Sequence, residues 1–162
     1  MSLGMTYSEK GLGRTQEFES CSLVAYPDPA TKNDPDPLKR GKPWTIGWGH
    51  TKGVYPGMTC TQEQADLWLL EDLSFAIRTV NELVKVPLTQ NQFDVLVDFV
   101  FNVGRANFIK SELLEKLNKG GYSEVDAELL EWIYANGKVM KGLIRRREAG
   151  AAAFEDEEPD SI

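Results

Sequence analysis

Two carboxylates near the N-terminus, Glu19 and Asp28, have the types and spacing that displacement at a single covalent bond requires. Such chemistry needs an acid for the leaving oxygen and, on the opposite face, a second polar group acting as base or nucleophile. The acid must keep its proton near neutrality, which calls for a poorly solvated position. Glu19 closes the stretch Tyr7–Glu19, which reads as a short helix capped by Ser8 with Leu12, Thr15 and Glu19 on one face. Asp28 follows the strand-like Leu23-Val24-Ala25-Tyr26 in a turn, where a carboxylate stays solvated and ionised. Taken alone, a Glu and an Asp at this spacing are better described as two surface carboxylates.

Other reactive types are sparse. His50 is the only histidine, and Cys21 and Cys60 are the only cysteines. None has a neighbour at metal-ligand spacing, so metal catalysis lacks support. Two thiols make no disulfide framework, and both are expected to be reduced. Arg145, Arg146 and Arg147 form a basic run near the start of the last expected helix, where the helix dipole disfavours cations and a specific partner is therefore expected.

The elements that must position these residues fall into a mixed N-terminal third and a helical remainder. Prolines 27, 29, 35, 37 and 43, with Gly41, Gly47, Gly49 and Gly53, forbid a long helix between Leu23 and Pro56. Leu23–Tyr26, Trp44–Trp48 and Gly53–Tyr55 are expected as short antiparallel strands. Trp44 and Trp48 should face away from Thr45 by strand alternation. Thr61-x-x-Gln64 opens a long helix to about Val84, ahead of Pro87. Thr89-x-x-Gln92 opens a core helix with a stripe of Phe93, Leu96, Val97 and Val100. A third helix, capped by Asn107, is expected over Phe108–Asn118 and stopped by Gly120-Gly121. A fourth runs from Ser123 to about Tyr134, and a turn at Asn136-Gly137 precedes a last helix from about Lys141 to Phe154. The fold class is α+β.

The bulk properties fit this plan. A chain of 162 residues, 41% hydrophobic and 27% charged, makes one globular domain. The opening Met1-Ser2-Leu3-Gly4 before Met5 reads as a cloning scar. The most apolar stretch, Phe93–Val103, is interrupted by Asp94 and Asp98 and is too short to span a bilayer, so neither a signal peptide nor membrane insertion is expected. Of the net charge of −7, five negative charges come from Glu155, Asp156, Glu157, Glu158 and Asp160, leaving about −2 elsewhere. That tail, 155–162, is expected to be disordered. Nothing is basic enough for a usual nucleic-acid reader.

The pattern Phe18-Glu19-x-x-x-Leu23-x-Ala25-Tyr26-x-Asp28, followed by Thr45-Ile46-Gly47-x-Gly49-His50, closely resembles the N-terminal signature of the phage-type lysozymes, glycoside hydrolase family 24. Phe101-Asn102-x-Gly104 with Phe108 and Ser111, and Gly142-Leu143-x-x-Arg146-Arg147, resemble later motifs of that family in the same order. The resemblance implies a lysozyme-like domain over 5–154. Its small sheet lobe is expected at about 22–57. Its larger helical lobe is expected at about 61–154 plus the helix 7–19, with the long helix joining the lobes and substrate in a cleft between them.

It also implies roles. Glu19 matches the general acid, Asp28 the second carboxylate, and Thr45 the hydroxyl that holds the attacking water with Asp28. An inverting displacement would require the carboxyl groups to stand roughly 6.5–9.5 Å apart. Gly49, Phe101 and Ser111 match substrate-lining positions. Gly47 and Gly49 suit tight turning, with sugar approaching the backbone. His50 matches a buried structural histidine paired with Asp72, and Arg146 matches a residue approaching the acid. An arginine there would favour the ionised acid and must be offset by desolvation.

The segment Pro29–Trp44, with Lys39-Arg40-Gly41-Lys42, is longer than the tight turn of short family members. It serves either as a plain surface insertion or as a positively charged extension toward anionic wall polymer.

The expected function is hydrolysis, without cofactor or metal, of the β-1,4 bond between N-acetylmuramic acid and N-acetylglucosamine in peptidoglycan. The expected actor is a monomer that accumulates in the host bacterial cytoplasm and reaches the periplasm through a holin-made lesion. The rivals are a lytic transglycosylase of similar fold, a non-catalytic cell-wall-binding module and a tail-associated lysozyme.

Overall fold

The structure, a computed structural model, describes residues 4–135 and 137–155. Met1–Leu3, Asn136 and the residues beyond Glu155 lie outside the described residues, and the expectations of a scar, of a turn residue at 136 and of a disordered tail fall on them. The chain divides into two units. One is Gln16–Asp72; the other takes the residues up to Thr15 and those from Leu73 onward.

Helix α1 (Glu9–Phe18) begins at Ser8, whose hydroxyl accepts from the Gly11 N–H at 3.0 Å and so satisfies a first-turn donor. In the unit Gln16–Asp72, β1 (Ser22–Tyr26) pairs antiparallel with β2 (Thr45–Gly47). Ser22 opposes Gly47 and Tyr26 opposes Thr45, so β1 carries a bulge between the two pairs. The other edge of β1 meets residues 58–60: Ala25 N–H donates to Met58 O at 2.9 Å, Cys60 N–H donates to Leu23 O at 3.0 Å, and Val24 bridges Thr59. The third strand-like contact is therefore at Thr59 and not at Gly53–Tyr55. There, Gly53 and Gly57 take left-handed φ values of 73° and 85°, and the chain turns twice. Helix α2 (Gln62–Leu83) starts where Thr61 Oγ1 accepts from Gln64 N–H at 3.1 Å.

In the other unit the core is built on α3 (Gln90–Val103), opened by a full capping box between Thr89 and Gln92. Phe93, Leu96, Val97 and Val100 are buried, and so are Asn91, Asp94, Val95 and Phe99 on the flanking faces. Phe99 meets Phe108 and Trp132 edge-to-face at 6.2 and 5.5 Å, and the Arg147 guanidinium lies 5.0 Å above its ring.

The expected single helix 108–118 is two helices, α4 (Arg105–Lys110) and α5 (Glu112–Asn118). Ser111 is extended between them, with its hydroxyl donating to Phe108 O and accepting from Leu114 N–H. That side chain closes one helix and opens the next. Asn107 lies inside α4, its amide donating to Val103 O at 2.8 Å, and caps nothing downstream. A 3-10 turn (Tyr122–Glu124) leads into α6 (Val125–Leu129). α6 stops five residues short of Tyr134 because Tyr134–Ala135 (β3) pairs with Lys138–Val139 (β4) in a hairpin. Helix α7 (Lys141–Glu155) follows.

Polar groups tie this unit together as well. The Arg146 guanidinium holds Asp98 through two bonds of 2.9 and 2.7 Å, and Thr15 donates to the same carboxylate at 2.8 Å. The Tyr7 hydroxyl donates to Gly11 O at 2.9 Å and lies 2.6 Å from Thr15 Oγ1. Burial first, then the charge of Asp98, pushes the Tyr7 phenol far above its ordinary value. Burial, with Arg146 alongside, brings Arg147 down to about 10.

Candidate active site

Of the nine residues singled out from sequence, the unit Gln16–Asp72 contains Glu19, Asp28, Thr45, Gly49, His50 and Asp72. Phe101, Ser111 and Arg146 belong to the other unit. Phe101 is half-buried on α3, and Ser111 is buried with both its hydrogen-bonding roles spent on helix ends. Arg146 is buried and bound by Asp98.

Glu19 is the first residue beyond α1, which ends at Phe18. Its carboxylate packs against Gly49: a Cβ placed at Gly49 would lie 3.1 Å from Glu19 Oε2. Gly49 also takes φ 91°, which favours glycine. The close approach at Gly49 is thus made by the Glu19 side chain. At Gly47, with φ 65°, the close approach is made by Ala65 of α2, where an added Cβ would lie 3.2 Å from the alanine methyl.

Asp28 is fixed by its own turn. Its Oδ1 accepts from Ala30 N–H at 2.8 Å, while its backbone N–H donates to Gly41 O at 2.9 Å and its carbonyl accepts from Thr31 N–H at 3.1 Å. The second carboxylate oxygen has no partner among the described residues. Gly41 N–H in turn donates to Thr31 O at 2.9 Å, so the segment between Asp28 and Thr45 is pinched shut at its base. That pinch lets β2 return to β1 with Thr45 directly opposite Tyr26. The Thr45 hydroxyl donates to Pro43 O at 3.3 Å, which leaves its lone pairs to accept.

Tyr26 is the residue that sequence reasoning left out of the site. Partial burial raises its phenol above the ordinary value, and the charges of Glu19 and Asp28, in that order, raise it further. One side chain thus senses both carboxylates while facing Thr45 across the strand pair. Its position in the Ala-Tyr-x-Asp stretch, two residues before Asp28, was the available signal.

His50 is held from two directions. Residues 46–50 form a tight loop in which Ile46 and His50 exchange both backbone bonds at 2.9 Å. The imidazole stacks on Trp68, with ring centres 4.7 Å apart and planes 4° from parallel, and its Nδ1 lies 2.8 Å from Asp72 Oδ2. The Trp48 indole donates to Asp66 at 2.8 Å and holds that carboxyl below the usual carboxylate range, with Gln62 adding to the effect. Among the described residues, no group of three or more metal-ligating side chains occurs, and no helix is long and apolar enough to cross a membrane.

The family described as phage lysozyme matches residues 16–150. The endolysin of Acyrthosiphon pisum secondary endosymbiont phage 1 is 43% identical over 155 residues, covering 93% of this chain and 99% of that protein. The endolysin of Bacillus phage PZA is 37% identical over 159 residues and 98% of this chain, which spans 58% of that longer protein. Among solved structures, the muramidase domain of SpmX from Asticaccaulis excentricus superposes with a TM-score of 0.80 at 35% identity, covering 94% of this chain and 99% of that one.

Proposed function

Because this chain belongs to the phage lysozyme family and is thereby a lysozyme-type cell-wall hydrolase, we propose that it cleaves the β-1,4 bond between N-acetylmuramic acid and N-acetylglucosamine in peptidoglycan. The observation that carries the residue assignment is Tyr26. Its phenol feels the charges of Glu19 and Asp28, and it stands opposite Thr45.

In this reading Glu19 gives its proton to the glycosidic oxygen as the bond from the anomeric carbon breaks. A water donates one proton toward the uncommitted oxygen of Asp28 and the other toward the lone pairs of Thr45. Its own lone pair is then turned outward to form the new bond to carbon. Asp28 takes the proton that water loses, and the products are a free hydroxyl and a new reducing end. Two acceptors around one water favour direct attack and an inverted product. His50, Trp68 and Asp72 hold the 46–50 loop, and with it Gly49 against Glu19. Phe101 and Ser111 are proposed as substrate-binding residues and Arg146 as a supporting one, each by its match to the family motif.

Glu19→Gln is expected to lower the rate of turbidity loss in permeabilised Gram-negative cells by at least ~100-fold. Lysis near the wild-type rate would rule Glu19 out as the acid. Mass spectrometry of the products separates hydrolysis from transglycosylation, since anhydro ends would exclude an attacking water. We further propose that the protein acts as a monomer and reaches the wall through a holin-made lesion. Host lysis should then require a co-expressed holin, and lysis without one would overturn that route.

A further inference from the structure

Within the unit Gln16–Asp72, the 29–44 segment and residues 51–56 line an open cavity of about 730 Å³. Its walls include Leu38, Lys39, Arg40, Lys42, Trp44 and Tyr55, with Asp34 as the one carboxylate. Arg40 is tied into the loop, donating to Asp34 O at 2.9 Å and Pro35 O at 3.3 Å. Lys39 and Lys42 are exposed, and their ammonium groups have no partner among the described residues. Leu38 and Tyr55 are 77% and 59% exposed beside them. The Trp44 indole rests on Gly41, where an added Cβ would lie 3.0 Å from its Nε1. A chain of net charge −7 has thus gathered unpaired cations and uncovered apolar groups around one cavity.

That combination selects the occupant. The acetylated sugars of a glycan strand carry no charge, and the carboxylates of peptidoglycan lie on its peptide stems, which alternate acidic groups with alanine methyls. We infer that this cavity binds the acidic peptide stem of the substrate, with Lys39 and Lys42 on its carboxylates and the Leu38, Trp44 and Tyr55 surfaces on its aliphatic parts. Trp44 directly precedes Thr45, so the stem is held next to the strand that supplies the proposed water-holding hydroxyl. This assignment rests on the hydrolase reading above and names a further part of the substrate that the enzyme recognises.

The test compares wild type with the Lys39→Ala/Lys42→Ala double variant on two substrates: glycan strands with peptide stems, and the same strands with their stem carboxylates converted to neutral amides. Both side chains are surface groups, so folding is retained. The double variant should raise KM on native stem-bearing strands roughly three- to tenfold with kcat unchanged, and match wild type on the amidated strands. The free tripeptide L-alanyl-D-glutamyl-diaminopimelate should bind the wild type in calorimetry at low salt and bind the double variant more weakly by the same factor. An equal effect on both substrates, no effect on either, or unchanged tripeptide binding would overturn the assignment. If the wild type releases no reducing ends from either substrate, the hydrolase reading itself fails.

Discussion

At the residue scale, Gly49 and Gly53 offer a comparison that separates backbone strain from site geometry. Both take positive φ, 91° and 73°, but an added Cβ meets Glu19 at Gly49 and nothing within 4 Å at Gly53. Alanine at either position should cost about 1–3 kcal/mol of stability by urea unfolding, whereas only Gly49→Ala should also depress lysis. Equal activity in the two variants would show that the Glu19 carboxylate tolerates displacement. Glu19, Asp28 and Thr45 could be proposed from the sequence because a motif of residue types survives in one dimension, and the family resemblance lent them roles. Tyr26 was not, since its place depends on a bulged register that pairs it with Thr45. The part played by Gly49 was hidden for a related reason: a positive φ is readable from a glycine, but the side chain that fills the vacated space is not.

At the scale of elements, caps and periodicity translated well. Thr89 and Gln92 form the full capping box on α3, and Thr89→Ala should lower the unfolding free energy by about 1 kcal/mol without changing activity. A change within error would mean that water replaces the cap. The misread elements are short and decided by tertiary partners. Ser111 looks like an ordinary helical residue until its hydroxyl is seen bridging α4 and α5. Gly53–Tyr55 looks like a strand, yet β1 takes its neighbour from residues 58–60. Two-residue strands such as β3 carry too little pattern to be seen at all. The Asp98–Arg146 pair is likewise invisible before folding, because the partners lie on α3 and α7. Asp98→Asn removes the charge that holds the buried Arg146 guanidinium through two bonds and should cost about 3–5 kcal/mol, read from the shift in denaturant midpoint.

For the whole molecule, alkaline pH provides a test of the packing around α1. The unfolded Tyr7 phenol ionises near its ordinary value of 10.0, while in the fold burial and the charge of Asp98 hold the proton on to higher pH. The folded state therefore binds more protons above pH 10, and its stability must fall as pH rises through that range. Tyr7→Phe should be less stable near neutrality because it loses the bonds to Gly11 and Thr15, yet show a flatter decline between about pH 10 and 12. Parallel slopes for the two proteins in urea titrations would show that the phenol ionises normally. The pinched base of the 29–44 segment has a different kind of consequence. Asp28–Gly41 and Gly41–Thr31 bonds close the segment before it reaches β2, so its length and its path do not set where Thr45 lies. Closing a longer loop adds little entropy cost once its ends are fixed. The segment is in effect an exchangeable cassette, whose length and surface can be rewritten while the strand beyond it keeps its register.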